Sequence, residues 1–123
     1  MSDTLFTKII NREIPADIVY EDDLCLAFKD INPQAPLHIL VIPKKPIAMI
    51  SNATNDDENL LGHLFLKAGD IAKDQGYGEA YRLVVNNGED AGQTVFHLHI
   101  HICLLYTSPS PRDLSTSRMP SSA

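Results

Sequence analysis

Between positions 95 and 102 the chain reads Val-Phe-His-Leu-His-Ile-His-Ile, and no other stretch limits the possible folds as tightly. Phe96, Leu98, Ile100 and Ile102 fall on one parity, and His97, His99 and His101 on the other. Successive side chains of a β-strand point to opposite faces, so the spacing predicts one strand with an apolar face and an imidazole face. Two residues advance a strand by roughly 6.6 Å, which stands three rings in a row, within reach of one another or of one shared ligand. Imidazole serves as base, acid, nucleophile or metal ligand near neutral pH. A merely solvated face would more often carry Lys, Thr or Glu, and an appended tag would not alternate with core residues.

The apolar face of that strand needs a sheet and a core, and the preceding chain supplies both. Leu5, Phe6, Ile9 and Ile10 follow possible caps at Ser2, Asp3 and Thr4, which predicts a short first helix ending before Pro15. Strands are expected over 18–21 and 24–28, with Asp22-Asp23 as the tight turn between them. Two prolines at 33 and 36 make a stiff loop after Asp30. The continuous apolar run 38–42 reads as a central strand. Thr54 or Asn55 caps a second helix, with acidic residues at 56–58 suited to its N-terminal end. Leu60, Leu61, Leu64, Phe65, Ala68, Ile71 and Ala72 recur along it at 3.6-residue spacing. His63 falls beside this stripe, where an exposed or interface histidine is expected. Residues 81–86 form a fourth strand, and 87–94 a turn into the histidine strand. Hairpin-connected strands with two interspersed helices predict an α+β fold with about five antiparallel strands.

A net charge of −6 over 123 residues suits one compact domain and argues against wrapping long nucleic acid, which needs a basic stripe. A small nucleotide needs only a few local donors. Cys25 and Cys103 have no CxxC spacing, and Cys25 reads as a reduced core residue. Neither a signal peptide nor a run of about 20 apolar residues is visible, so a cytoplasmic protein without membrane contact is expected. After Leu105 the composition changes: six Ser, two Thr and three Pro among the last 18 residues, with no period of 2 or 3.6. The expected organisation is a domain over 1–105 and a disordered tail over 106–123.

The run His97-Leu98-His99-Ile100-His101-Ile102-Cys103 resembles the histidine-triad (HIT) signature, in which three histidines alternate with apolar residues. The segments 6–10, 13–15, 28–38, 41–44 and 92–96 resemble the nucleotide-binding phosphoramidase branch of that family, a likeness covering roughly residues 4–103. The family's C-terminal segment, which shapes the leaving-group side and reaches across a dimer, is replaced here by a tail resembling translated adaptor or vector sequence.

The resemblance implies a HIT-like fold, a homodimer and no required cofactor or metal. It implies hydrolysis of the P–N bond in purine nucleoside 5′-phosphoramidates (AMP or GMP joined to an amine, aminoacyl adenylates among the candidates). His99 would be the nucleophile, forming a nucleotidyl-histidine that water cleaves. A backbone carbonyl of His97 would fix its tautomer, His101 would donate to phosphate oxygen, and His38 would complete a four-imidazole cluster. Asp30 would take the ribose hydroxyls, with Ile31 and Phe28 against the base. Asn86 would contact the ligand, and Gly92, Gln93 and Thr94 would bring backbone N–H groups and a hydroxyl to the phosphate. Read alone, Asp30 beside a proline loop is more often a turn residue, and the alternative for His38 is a histidine satisfied at a strand end. Three other activities stay open: dinucleoside polyphosphate hydrolysis, a non-catalytic nucleotide-binding regulatory module, and a metal-dependent hydrolase using imidazoles at i and i+2 with His38. The third histidine, where nucleotidyl transferases of the family carry Gln, disfavours transfer.

Overall fold

The computed structural model describes residues 4–30 and 37–104. Ile31, the proline loop and the expected tail over 106–123 lie outside the described residues.

Helix α1 spans Leu5–Ile10. Thr4 caps it: its hydroxyl accepts from the Thr7 N–H, and the Thr7 hydroxyl accepts from the Thr4 N–H. Strands β1 (Ile18–Glu21) and β2 (Cys25–Lys29) form the expected hairpin. Asp22 makes the turn, its Oδ1 accepting from the N–H groups of Leu24 and Cys25 at 2.8 and 2.9 Å. Strand β3 (His38–Pro43) is buried along its whole length and lies at the centre of the sheet, as its continuous apolar run predicts. Helix α2 (Glu58–Asp74) follows a 3-10 turn that Thr54 and Asp57 close in a reciprocal capping box. Strands β4 (Arg82–Val84) and β5 (Ile100–Cys103) complete an antiparallel sheet of order β1-β2-β3-β5-β4. The α+β class and the five-stranded antiparallel sheet are those expected.

Two faces of this sheet carry two cores. Cys25, Ala27, Ile39, Val41, Ile100 and Ile102 face α2 and pack on its Leu64, Ala68, Ile71 and Ala72. Leu26, Phe28, Leu40 and Ile42 face α1 and pack on Phe6 and Ile9. Phe65, counted in the helix stripe, is 42% exposed and outside the core.

The main departure is the histidine strand. It does not run from 95 to 102; the ladder begins at Ile100, so His97 and His99 precede it. The register supplies the cause. Val41 faces Ile100, so the next rungs would set Pro43 opposite Leu98. Proline has no N–H for a ladder, and β3 ends there. Leu98 instead donates its N–H to the Ile47 carbonyl at 2.7 Å. The fourth strand is likewise shorter than 81–86, since β5 offers it partners only from His101 to Cys103.

Candidate active site

The α1 face of the sheet carries the imidazoles. His101 lies on β5 between Leu40 of β3 and Val84 of β4. His38 opens β3, and its Nε2 lies 3.1 Å from Nδ1 of His101. The rings of His99 and His101 are 4.9 Å apart and steeply inclined. His38, His101 and His99 thus form a chain of three rings. His97 does not join them, which corrects the expected row on one strand face and the four-ring cluster. Its Nε2–H donates to the Pro43 carbonyl at 2.7 Å, and its ring is buried beside Phe6.

Hydrogen-bond partners set the proton positions. A carbonyl only accepts, so His99 carries its proton on Nδ1, which donates to the His97 carbonyl at 2.8 Å. Nε2 of neutral His99 is then a lone pair. Asp30 Oδ2 lies 3.3 Å from His38 Nε2, and a carboxylate only accepts, so that nitrogen bears hydrogen. The same N–H faces His101 Nδ1, which leaves the His101 proton on Nε2.

Burial keeps the three triad rings neutral. It pushes His97 and His99 below the usual imidazole range, the hydrogen bond from His99 to the His97 carbonyl offsetting part of the effect. His101 is pushed down to about 4, by burial first and then by its neighbours His99 and His38. A neutral imidazole is required of a nucleophile.

Phe6 was not anticipated as a site residue. It presents its ring edge-on to His99 at 4.9 Å and to Phe28 at 5.5 Å. Phe28 is only 2% exposed and lies beneath the site, so its expected place against a base is corrected to a supporting one. Ile31, expected beside it, lies outside the described residues.

Gly92 takes φ +100°, a left-handed conformation that favours glycine. A Cβ there would stand 3.8 Å from Asn86 Nδ2, so Asn86 and the Gly92 turn are neighbours. The backbone donors of this turn are committed within it: Gly92 N–H to Glu89 O, and Gln93 N–H to Gly88 O. Gln93 is buried, and its carboxamide accepts from Gly88 N–H and donates to the carbonyls of Ala48 and Val95. The phosphate role expected of Gly92 and Gln93 N–H groups therefore gives way to a structural one. Thr94 is exposed beside the turn.

Asp30, His38 and His101 also place three donor atoms within 4.8 Å of one another, a set able to hold a metal ion. Asp30, expected at the ribose hydroxyls, supplies the carboxylate of this set. No helix among the described residues is long and apolar enough to cross a membrane.

Comparison with known proteins gives a consistent result. The HIT domain model matches residues 11–107. An uncharacterised HIT-like protein of Synechocystis is 68% identical over 100 residues, covering 81% of this chain and 88% of the relative. One from Synechococcus elongatus is 64% identical with the same coverage. Among solved structures, a HIT family hydrolase from Legionella pneumophila superposes with a TM-score of 0.83 at 44% identity, covering 89% of this chain and 98% of that one. A HIT family hydrolase from Clostridium thermocellum gives 0.82 at 42%, covering 90% and 98%.

Proposed function

The chain belongs to the HIT domain family, and on that premise we propose that it is a phosphoramidase, cleaving purine nucleoside 5′-phosphoramidates into a nucleoside monophosphate and an amine. The observation that carries this reading is the 2.8 Å hydrogen bond from His99 Nδ1 to the His97 carbonyl. It leaves Nε2 of a neutral, buried imidazole as the nucleophile.

Nε2 attacks the α-phosphorus, a P–N bond to His99 forms, and the P–N bond to the amine breaks. The departing amine takes up a proton from solvent. Water then attacks the same phosphorus, breaks the bond to His99 and leaves its proton to solvent, releasing the monophosphate. The His101 Nε2–H donates to a phosphate oxygen as charge grows in each transition state. His38, held between Asp30 and His101, keeps the His101 proton on that outward nitrogen. Asn86 and the Thr94 hydroxyl bind the phosphate from the side of the Gly92 turn. Asp30 also takes the ribose hydroxyls through its second oxygen, with Ile31 against the base. No cofactor enters the reaction.

A second reading rests on the Asp30–His38–His101 set: a metal-dependent hydrolase. Hydrolysis of adenosine 5′-phosphoramidate by the full chain in excess EDTA separates the two. Release of AMP supports the phosphoramidase reading. Activity that appears only when zinc is restored favours the metal, and nucleotide binding without turnover favours a regulatory module. Faster cleavage of a dinucleoside polyphosphate would move the substrate within the family.

A further inference from the structure

On the opposite face of the sheet, away from the imidazole chain, we infer that Asp22, Cys25 and His63 form a binding site for a divalent metal with affinity for sulfur, zinc being the ion whose ligand chemistry fits. Asp22 comes from the β1–β2 turn, Cys25 from the start of β2 and His63 from the first half of α2. One donor atom from each lies within 4.8 Å of the other two. Carboxylate oxygen, thiolate sulfur and imidazole nitrogen are the three ligand types that tetrahedral zinc takes, at about 2.0–2.3 Å. Those bond lengths put neighbouring ligand atoms about 3.3–3.6 Å apart. The 2.7 Å separation of His63 Nε2 and Asp22 Oδ2 would open by under 1 Å, about what side-chain rotation supplies.

The carboxylate is already oriented for the task. Its Oδ1 is fixed by two backbone N–H groups, and Tyr20 donates to Oδ2 at 2.7 Å. Such partners aim a ligand before the ion arrives. The Asp22 and His63 side chains are about a quarter exposed, while Cys25 is fully buried beneath them. An ion therefore enters from solvent and keeps one position for water. Cys25 packs in the core facing α2 and its thiol hydrogen-bonds Asp22, which sets the sulfur at the same point as the carboxylate and the imidazole. On binding, the Cys25 thiol loses its proton to solvent, and His63 shifts its remaining proton to Nδ1. The site does not depend on the phosphoramidase reading.

Cobalt(II) tests it, because a cobalt–thiolate bond gives an intense near-ultraviolet charge-transfer band that nitrogen and oxygen ligands do not. Titration of the full chain should show one equivalent bound with that band, displaced by zinc. The Cys25→Ser variant should lose the band, and His63→Ala should bind at least roughly a hundredfold more weakly, since even partners behind the ligands change affinity 10–100-fold. Cys103→Ser, which alters the thiol facing His38 across the ladder, should bind like the parent. A parent chain without the band overturns the site. So does a band that survives Cys25→Ser or vanishes in Cys103→Ser. Should Cys25→Ser fail to fold by circular dichroism, His63→Ala decides: His63 is partly exposed on the helix surface, and parent-like affinity in that variant refutes the assignment.

Discussion

His38 and His101 meet diagonally across β3 and β5, Nε2 of the first 3.1 Å from Nδ1 of the second. Neither ring could hold this position without the strand pairing, since 63 residues separate them in sequence. The contact makes a direction out of a symmetrical side chain. Asp30 requires hydrogen on His38 Nε2, that hydrogen faces His101 Nδ1, and the His101 proton is left on the nitrogen pointing away. His101 then presents a donor and His99 a lone pair, as the proposed reaction requires.

Replacing His99 by Ala should abolish turnover of adenosine 5′-phosphoramidate, with a fall in kcat of at least about a thousandfold, while AMP binds within a few-fold of the parent. Steady-state kinetics and calorimetric AMP titration check both halves. Turnover at the parent rate in this variant would remove His99 as nucleophile.

Burial holds His99 below the usual imidazole range, so the reactive neutral form should persist into mild acid. The free-enzyme profile of kcat/KM should stay level down through about pH 6.5, the ordinary imidazole value, and bend only below it. A limb centred at or above that value would mean that the titrating group is not a buried ring.

Stability should follow the same sign. His101 titrates at about 4 when folded, against about 6.5 in the unfolded chain. Between those values the unfolded state binds more protons, so stability is whole above about pH 6.5 and is lost as pH falls toward 4. Urea denaturation at pH 7 and pH 5 should show a smaller difference for His101→Gln than for the parent. An equal difference would assign the loss to other groups.

Gly92→Ala should cost about 1–2 kcal/mol, the penalty of holding a Cβ in the left-handed region. Space is not the obstacle, because the added carbon would stand 3.8 Å from Asn86. Urea unfolding gives the number, and a neutral result would show that the turn relaxes to another conformation.

A homodimer is expected through α2 and the β4 edge. Among the described residues strand β4 ends the sheet with one side unpaired, and Tyr81, Phe65 and Leu66 are exposed nearby or on the helix, Leu66 by 73%. Light scattering should return twice the chain mass of 13.6 kDa. A monomer would mean that these surfaces do not suffice to join two chains.

Much of this architecture was legible in the sequence because its signals are local. The 3.6-residue stripe from Leu60 to Ala72 marks α2, the continuous run from His38 to Ile42 marks a central strand, and Asp22-Asp23 marks a turn. The start of β5 was not legible. Alternation at 95–99 looks the same whether or not a partner strand can pair with it, and the partner here ends in Pro43. The site divides in the same way. The histidines announce themselves by spacing, whereas the edge-on contact of Phe6 with His99 and the pairing of Asp30 with His38 arise from the fold. Asp22 and His63, 41 residues apart, carry no shared pattern at all.

The carbonyl of His97 belongs to the backbone, and its ring is tied to another backbone carbonyl at Pro43. Of the three alternating positions, 97 is thus the one where the imidazole itself is chemically replaceable. A library randomised at 97 should recover active chains with Asn or Gln, which fill similar space and can donate to the same oxygen. The same library at 99 should recover histidine alone. Counting histidines overstates how many imidazole rings the proposed reaction uses.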